Sequence, residues 1–508
     1  MNSLTALISL IILSLLFILL SHRITVFQRK VIFKAIGYST LVALIVLLYT
    51  EQVIDIISFT LASSFTILSL IISIYTLPYM KTLHYPHTLE ILVDFFLYAL
   101  IATYTAPNII ILVSTWTLVE ILGFMLIKTG EEHSLEGPLT SSRGFLLTST
   151  ATYELSIFTF ITVSFFTLGT LSPDLLLKTF IESVSKFQTS YIVLPLLLVG
   201  FLTKAAITPL HFWLPSAHST APSPASAALS GFTVSLGYYG LYRVLKYIEI
   251  GDLSQYLGVA LIVLGGFSVV YGGVEAFYQR DIKRLLAYST IMTDGFILVL
   301  FALYLITGTQ QALILILAGI LMQAAYKTTL FCETGLFEML YEMRYMHLIR
   351  GAIRSLPISS LGGLLAVSSL IGVPGTVGFA TKVAGIYIAF EALSANHDIL
   401  ISVLVVFTLY IVFSAVIGVK YIALYYTPPI KPPLIAREIT QLQQLPILLL
   451  GLTNVVLTPL YFHILGYTWL TLLTILLVPI PLITVYLVSH TARISLKRSE
   501  GASTWSSQ

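Results

Sequence analysis

Apolar stretches long enough to cross a bilayer follow one another along the whole chain, and they limit what it can fold into. At 1.5 Å per residue, about 20 residues cover the roughly 30 Å of hydrocarbon. Such runs fall near 4–21, 31–49, 52–77, 90–105, 108–128, 143–170, 188–208, 222–247, 254–275, 284–306, 311–333, 357–392 with an interruption, 398–425, 443–463 and 466–490. With 57% hydrophobic and 10% charged residues over 508 positions, an ordinary soluble domain is excluded. The expected class is all-α: one polytopic membrane domain, 1–508, with about 14 to 15 transmembrane helices. The run Leu4 to Leu20 has no basic stretch before it and no small-residue cleavage site after it, so it reads as a retained first helix.

Orientation follows from lysine and arginine in the connections. His22, Arg23, Arg29 and Lys30 follow the first run, and Lys81, Arg280, Lys283, Arg284, Arg344, Arg350, Arg354, Lys420, Lys431 and Arg437 follow later odd-numbered runs. Connections after even-numbered runs are poorer, although they hold Lys178, Lys186 and Lys246. The N-terminus is therefore expected outside a cell membrane, and the tail 491–508, with Arg493, Lys497 and Arg498, in the cytoplasm. The formal charge of +3 gives no reason to expect nucleic acid. The one cysteine, Cys332, rules out a cysteine-held cluster or zinc site, so redox chemistry and cofactors are not expected in this chain.

Ionisable groups inside apolar runs are expensive, about 2.5 to 3.5 kcal/mol at a helix centre on insertion scales, and by default they mark a transport or relay site. Lys204 ends the run YIVLPLLLVGFL, and Pro209, Pro215, Pro222 and Pro224 then prevent a continuous helix. Pro374 and Gly375 interrupt a second run, in IGVPGTVGFATK, with Lys382 seven residues beyond the glycine. Interrupted segments in corresponding halves point to inverted repeats with ion sites at the breaks. Other intramembrane groups are Glu120, Glu154, Asp294 and Lys327. His211 and His218 lie seven apart with proline between them and no third ligand nearby, so a structural or relay role is expected rather than a metal. His84 and His87 read as surface residues of a connection.

The wording around Lys204 resembles the proton-translocating, antiporter-like subunits of respiratory complex I, membrane-bound hydrogenases and multi-subunit sodium/proton antiporters. A lysine is followed there by P-L-H-x-W-L-P-x-A-H and A-P-x-P-x-S-A-x-L-S-G; here stand Lys204, PLHFWLPSAH from Pro209 and APSPASAALSG from Ala221. The stretch IGVPGTVGFATK likewise resembles the family's G-x-P-x-x-x-G-F-x-x-K, and DIKRLLAYST from Asp281 matches it closely. The resemblance implies two inverted five-helix repeats, each with a broken helix, over roughly 90–247 and 254–425.

Carried over residue by residue, it implies a proton relay through Glu120, Lys204, Lys327 and Lys382. The family's usual acid would follow Trp116 directly, where this chain has Thr117, and the carboxylate comes one turn later at Glu120. Either Glu120 replaces the partner of Lys204, or the pair is lost. Lys327 matches the lysine of the family's H-A-x-x-K, with Gln323 in the histidine position, able to hydrogen-bond water but not to titrate. A structural ion pair of Lys327 with Glu333 or Asp294 is the alternative. Ser235 stands where a second lysine is common, Glu154 falls near an acid of some members, and Asp294 is an unusual acid that either pairs with a lysine or serves the relay.

The function expected is a proton-translocating subunit of a redox-driven, complex I type membrane complex. The alternatives are a subunit of a multi-subunit sodium/proton antiporter and a non-conducting structural subunit of a membrane arm. Implied partners are other antiporter-like and small membrane subunits, and a redox arm with iron-sulfur clusters in the first case. The absence of a long C-terminal lateral helix argues against the longest, most distal family type.

Overall fold

The computed structural model describes residues 3–133, 140–168, 190–245, 253–394, 396–426, 438–464 and 468–487. Lys178, Lys186, Lys246, Lys431, Arg437 and the expected tail 491–508 lie outside them. All regular structure described is helical, apart from one isolated bridge between Asp281 and Tyr345. Within the described residues, every apolar run read from the sequence falls on a helix or an interrupted pair of helices. Nine described helices are long and apolar enough to cross a membrane, and three shorter ones are apolar too. The chain is a multi-pass membrane protein. It divides into two compact units, Met1–Leu253 and Ser254–Gln508.

In the first unit, α1 (Ser3–Arg23) packs on α2 (Phe27–Thr50), followed by α3 (Ile56–Thr82), α4 (Thr88–Tyr104) and α5 (Ile109–His133). A short α6 (Ser141–Phe145) passes through a π-helical turn, Leu146–Thr150, into α7 (Ala151–Leu168), which packs on α8 (Ser190–Lys204). The chain then breaks over 205–212, as the prolines require, and resumes in α9 (Trp213–Thr220) and α10 (Ser223–Ala228). A second π-helical turn, Leu229–Thr233, leads into α11 (Ser235–Leu245). Such turns carry an unclosed backbone ladder and concentrate at functional sites.

In the second unit, α12 (Leu253–Tyr278) and α13 (Ile282–Thr307) precede α14 (Gln310–Tyr341), whose 32 residues run about 48 Å. Of its most apolar window, 89% is buried, because α13, α16, α17 and α19 surround it. A helix apolar on all faces is a central helix, and this one carries Lys327. After the one-turn α15 (Ala352–Ser355), α16 (Pro357–Ile371) stops at Gly372, φ 95°, and α17 (Val377–Leu393) starts after Thr376, whose hydroxyl accepts from the Phe379 N–H at 3.3 Å. Pro374 and Gly375, φ 93°, occupy this break. The remaining helices are α18 (His397–Tyr426), α19 (Gln441–Ile464) and α20 (Thr468–Leu477).

Lysines assigned to connections are partly drawn inside. Lys283 Nζ lies 2.8 Å from Glu338, and Arg344 binds Asp281, the N-cap of α13, at 2.5 Å. Lys420 belongs to α18, its ammonium donating to the carbonyls of Phe277 and Gln279 at the end of α12.

One glycine positions the first broken helix. A Cβ on Gly237 would stand 2.4 Å from the carbonyl oxygen of Phe201 and 2.7 Å from the Ala205 nitrogen, so α11 reaches the end of α8 only because residue 237 has no side chain. Gly237→Ala is expected to lower the yield and melting temperature of the detergent-solubilised protein. Gly144→Ala, with nothing within 4 Å of the added carbon, should change neither; equal melting temperatures for both variants would refute this account of Gly237.

Candidate ion-translocation site

Each unit buries ammonium groups, some met by a carboxylate and others by neutral oxygens. In the first, Lys204 ends α8 and its Nζ donates to Glu120 Oε1 at 2.6 Å, both side chains almost wholly buried. Trp116, one turn before Glu120, donates its indole N–H to the same oxygen at 3.0 Å. Ser149, on the first π-helical turn, lies 3.5 Å from Lys204 Nζ, and the rings of Phe145 and Trp213 stand 5.2 and 6.0 Å from it. Glu120 Oε2 is buried with no hydrogen-bond partner among the described residues.

The carboxylate one turn beyond Thr117 thus meets Lys204, as the first of the two sequence alternatives requires. Trp213 Nε1 donates to the Thr203 carbonyl at 2.9 Å, so the conspicuous tryptophan of the PLHFWLP stretch caps the broken helix end. Pro209 lies within the break, His211 beside it, and His218 on α9, both histidines buried. Ser235 opens α11, buried, with its hydroxyl donating to the Gly231 carbonyl at 3.2 Å.

Glu154 stands apart from this group. Tyr153 turns inward and stacks on Trp116 with ring centroids 5.0 Å apart, so the next residue, about 100° round the helix, faces outward with Leu155 and Phe158.

In the second unit, Lys327 and Lys382 are met by neutral oxygens. Lys327 Nζ donates to the Leu286 carbonyl at 2.7 Å and to the Ser289 hydroxyl, both on α13. Asp294, one turn along from Thr290, instead accepts from Gln323 Nε2 at 2.9 Å; both are fully buried on α13 and α14. Glu333 Oε2 accepts from Tyr421 at 3.1 Å and Tyr425 at 2.6 Å, so it is held by phenols rather than by Lys327. A Cβ on Gly363 would lie 2.2 Å from that carboxylate and from the Tyr425 oxygen, so the glycine makes room for the group.

Lys382 reaches back across the second break. Its ammonium donates to the carbonyls of Leu370 and Ile371 at 2.7 and 2.9 Å and to Ser414 at 2.7 Å, above the ring of Tyr410. A cation at the carbonyl end of a helix is the arrangement that the helix dipole favours.

A further polar cluster escaped sequence reasoning. Lys30 and Lys34 on α2, Glu90 and Asp94 on α4, and His22 at the end of α1 share one buried pocket in the first unit. The available signal was a lysine in an apolar run, Lys34, and two acids spaced i, i+4, Glu90 and Asp94, on another.

Removing one partner of a buried ion pair costs about 3 to 5 kcal/mol, because the remaining charge stays out of water. Glu120→Gln is therefore expected to lower the melting temperature clearly, and the double variant Glu120→Gln with Lys204→Met to recover much of the loss. A double variant no more stable than the single one would argue against the pair.

Comparison with known proteins places the chain. The family model described as NADH:quinone oxidoreductase/Mrp antiporter, transmembrane, matches residues 106–411. An uncharacterised protein of Mycobacterium tuberculosis is 35% identical over 197 residues, 37% of this chain and 31% of the relative. One of the NADH-quinone oxidoreductase subunits of Desulforudis audaxviator is 30% identical over 52% of this chain and 54% of its own length. A protein of Rhizobium meliloti named as a probable K(+)/H(+) antiporter component is 30% identical over 56% of this chain and 28% of its own length. The chain thus spans about a third to a half of the curated relatives it matches.

By fold, a chain of the Mrp complex from Dietzia sp. DQ12-45-1b superposes with a TM-score of 0.71 at 16% identity, over 97% of this chain and 98% of that one. A chain of respiratory complex I from Thermus thermophilus gives 0.66 at 19% identity, over 89% and 96%. With well over half of its length matched by the family model, buried lysines at two helix breaks and an all-helical membrane fold, the chain belongs to the NADH:quinone oxidoreductase/Mrp antiporter transmembrane family.

Proposed function

We propose that the chain is a proton-translocating subunit of a multi-subunit membrane complex, and that Glu120, Lys204, Lys327 and Lys382 carry the proton relay. The observation that carries this assignment is the contrast between a carboxylate-paired ammonium, Lys204, and ammonium groups held by neutral oxygens, Lys327 and Lys382. A lysine that exchanges a carboxylate for water or a hydroxyl changes its proton affinity, which is what loading and release need. Gln323, Asp294, Ser235, His211 and His218 support the path through hydrogen bonds and water; Glu154, facing outward, is not included in it. The interrupted helices at Pro209 and at Pro374 and Gly375 belong to inverted repeats over roughly 90–247 and 254–425. The N-terminus lies outside and the C-terminus in the cytoplasm.

Moving one charge against 100 mV costs about 2.3 kcal/mol, so a partner must supply the energy. Relatives named as quinone oxidoreductase components favour a complex I type assembly, with a redox arm holding the iron-sulfur clusters and further antiporter-like and small membrane subunits. The relative named as an antiporter component supports the second reading, exchange driven by ion gradients alone. Purifying the tagged native complex decides between them: iron and cluster-binding chains are expected for the first, and only small membrane chains without iron for the second.

In that purified complex, reconstituted in vesicles, Lys327→Ala is expected to abolish proton movement while the set of co-purifying chains stays unchanged. Proton movement at the wild-type rate would overturn the relay as drawn and favour a non-conducting structural role.

A further inference from the structure

In the second unit, the end of α12, the connection 342–351 and the last turns of α18 border a cavity of about 690 Å³ with a basic wall. Arg280, Arg350 and Lys420 line it together with His347, Phe277 and Tyr278, and among the described residues no carboxylate does. Asp281 and Glu338 are engaged with Arg344, and Glu338 also with Lys283. Glu275 accepts from the Gln279 amide at 3.4 Å. Neither Arg280 nor Arg350 forms an ion pair among the described residues. Three cations thus border one space that the chain itself leaves without a counter-charge, and an anion placed there relieves their mutual repulsion.

The wall is fixed by the backbone. The Met346 N–H donates to the Arg280 carbonyl at 2.9 Å and the Ile282 N–H to the Arg344 carbonyl at 3.1 Å, which joins the two connections in a short bridge. Lys420 ties α18 to the same corner through the carbonyls of Phe277 and Gln279, the second at 2.6 Å, and its ammonium stands 5.6 Å from the Phe277 ring. Its donors serve the packing of the two helices, while its charge stays at the cavity.

Away from this end, α12 and α18 pack along one seam. A Cβ on Gly266 would stand 3.0 Å from the Val406 side chain, and one on Gly273 2.5 Å from that of Phe413. Beside the seam α12 exposes Val263, Phe267 and Val274, and α18 exposes Val412, Val416 and Val419, each set on one helical face. Both helices are long and apolar enough to cross the membrane, and less than half of the most apolar window of each is buried. An apolar track therefore leads along two spans to the basic cavity. Tyr278, the last residue of α12 and 71% exposed, stands where the two meet, the place amphipathic rings favour at a membrane boundary.

We propose that this cavity binds the headgroup of an anionic phospholipid, with Arg280 and Arg350 on the phosphate, Lys420 adding charge, and the acyl chains along the α12 and α18 track. A guanidinium presents a planar fork of donors that matches phosphate oxygens in pairs. Free phosphate would answer the cations and leave the track unused, whereas an amphiphile with an anionic head answers both. A basic pocket between membrane helices suits such a headgroup. The site depends on the membrane fold and not on the proton relay.

The test places the protein, with the chains that co-purify with it, in phosphatidylcholine nanodiscs containing a small fraction of phosphatidylglycerol with a photoreactive diazirine on one acyl chain. Labelled peptides are mapped after irradiation, and labelling is expected on α12 and α18 beside the seam. Excess unlabelled phosphatidylglycerol should compete it away, and excess inorganic phosphate should not. The double variant Arg280→Gln with Arg350→Gln should lower labelling of those peptides about tenfold and leave other labelled peptides unchanged. Arg284→Gln, at an exposed position of α13 that does not line the cavity, should lower none. Competition by inorganic phosphate would overturn the lipid in favour of a free anion. Equal labelling by photoreactive phosphatidylcholine would overturn it in favour of boundary lipid taken without regard to charge, and crosslinks to another protein chain in place of lipid would give the face to a partner. The competition arms use the unaltered protein, so the result does not hang on the folding of a variant.

Discussion

An ammonium group taken out of water must be met by oxygen, and in a bilayer the oxygen has to come from the chain itself. That constraint shapes both units. An unbroken helix spends its carbonyls on its own ladder, so a break is the cheapest source of free ones. Lys382 takes the carbonyls at the end of α16, and Lys420 those at the end of α12. Lys204, itself the last residue of α8, is met by a carboxylate from α5 instead, while Trp213 takes the freed carbonyl of Thr203. The helix break thus supplies the carbonyls that meet Lys382, whereas Lys327 takes the Leu286 carbonyl from within α13.

The choice of partner sets what each lysine can do. Opening the 2.6 Å contact between Lys204 and Glu120 would leave two buried charges unmet, which is costly. Carbonyls and hydroxyls meet the ammonium groups of Lys327 and Lys382 by dipoles alone, without a counter-charge in the hydrogen bond. The buried acids near Lys327 are placed in keeping with this: Gln323 hydrogen-bonds Asp294, and two tyrosines bind Glu333, so each carboxyl is held without consuming the lysine. At position 323 the glutamine amide thus orients the Asp294 carboxyl.

Much of this was legible in the sequence, because it is written locally. Apolar runs mark helices through length, prolines mark the breaks, and a lysine at the end of a run marks its own cost. The spacing from Trp116 to Glu120 is one helical turn, so a displaced acid could be followed along its own helix. What sequence could not give was partnership across helices. Nothing local joins Lys34 to Asp94, 60 positions away, or Glu333 to Tyr425, 92 away. Helix facing was lost as well: Glu154 and its neighbour Tyr153 belong to opposite environments, and only the stacking on Trp116 fixes which is which. Counting Lys30 and Lys283 as charges of connections failed for the same reason, since both are drawn inward by acids that lie far along the chain.

The two kinds of buried charge in this chain differ in how they are stabilised, and so in what a proton would do there. At Lys204, taking the proton away leaves Glu120 as an uncompensated buried anion whose second oxygen has no partner among the described residues. At Lys327 and Lys382 the direct hydrogen-bond partners are neutral oxygens, so no ion pair is opened. A path that included both kinds would have a firm site and two permissive ones, and directional transfer needs such inequality: identical sites would hold a proton equally well everywhere and gain nothing from moving it.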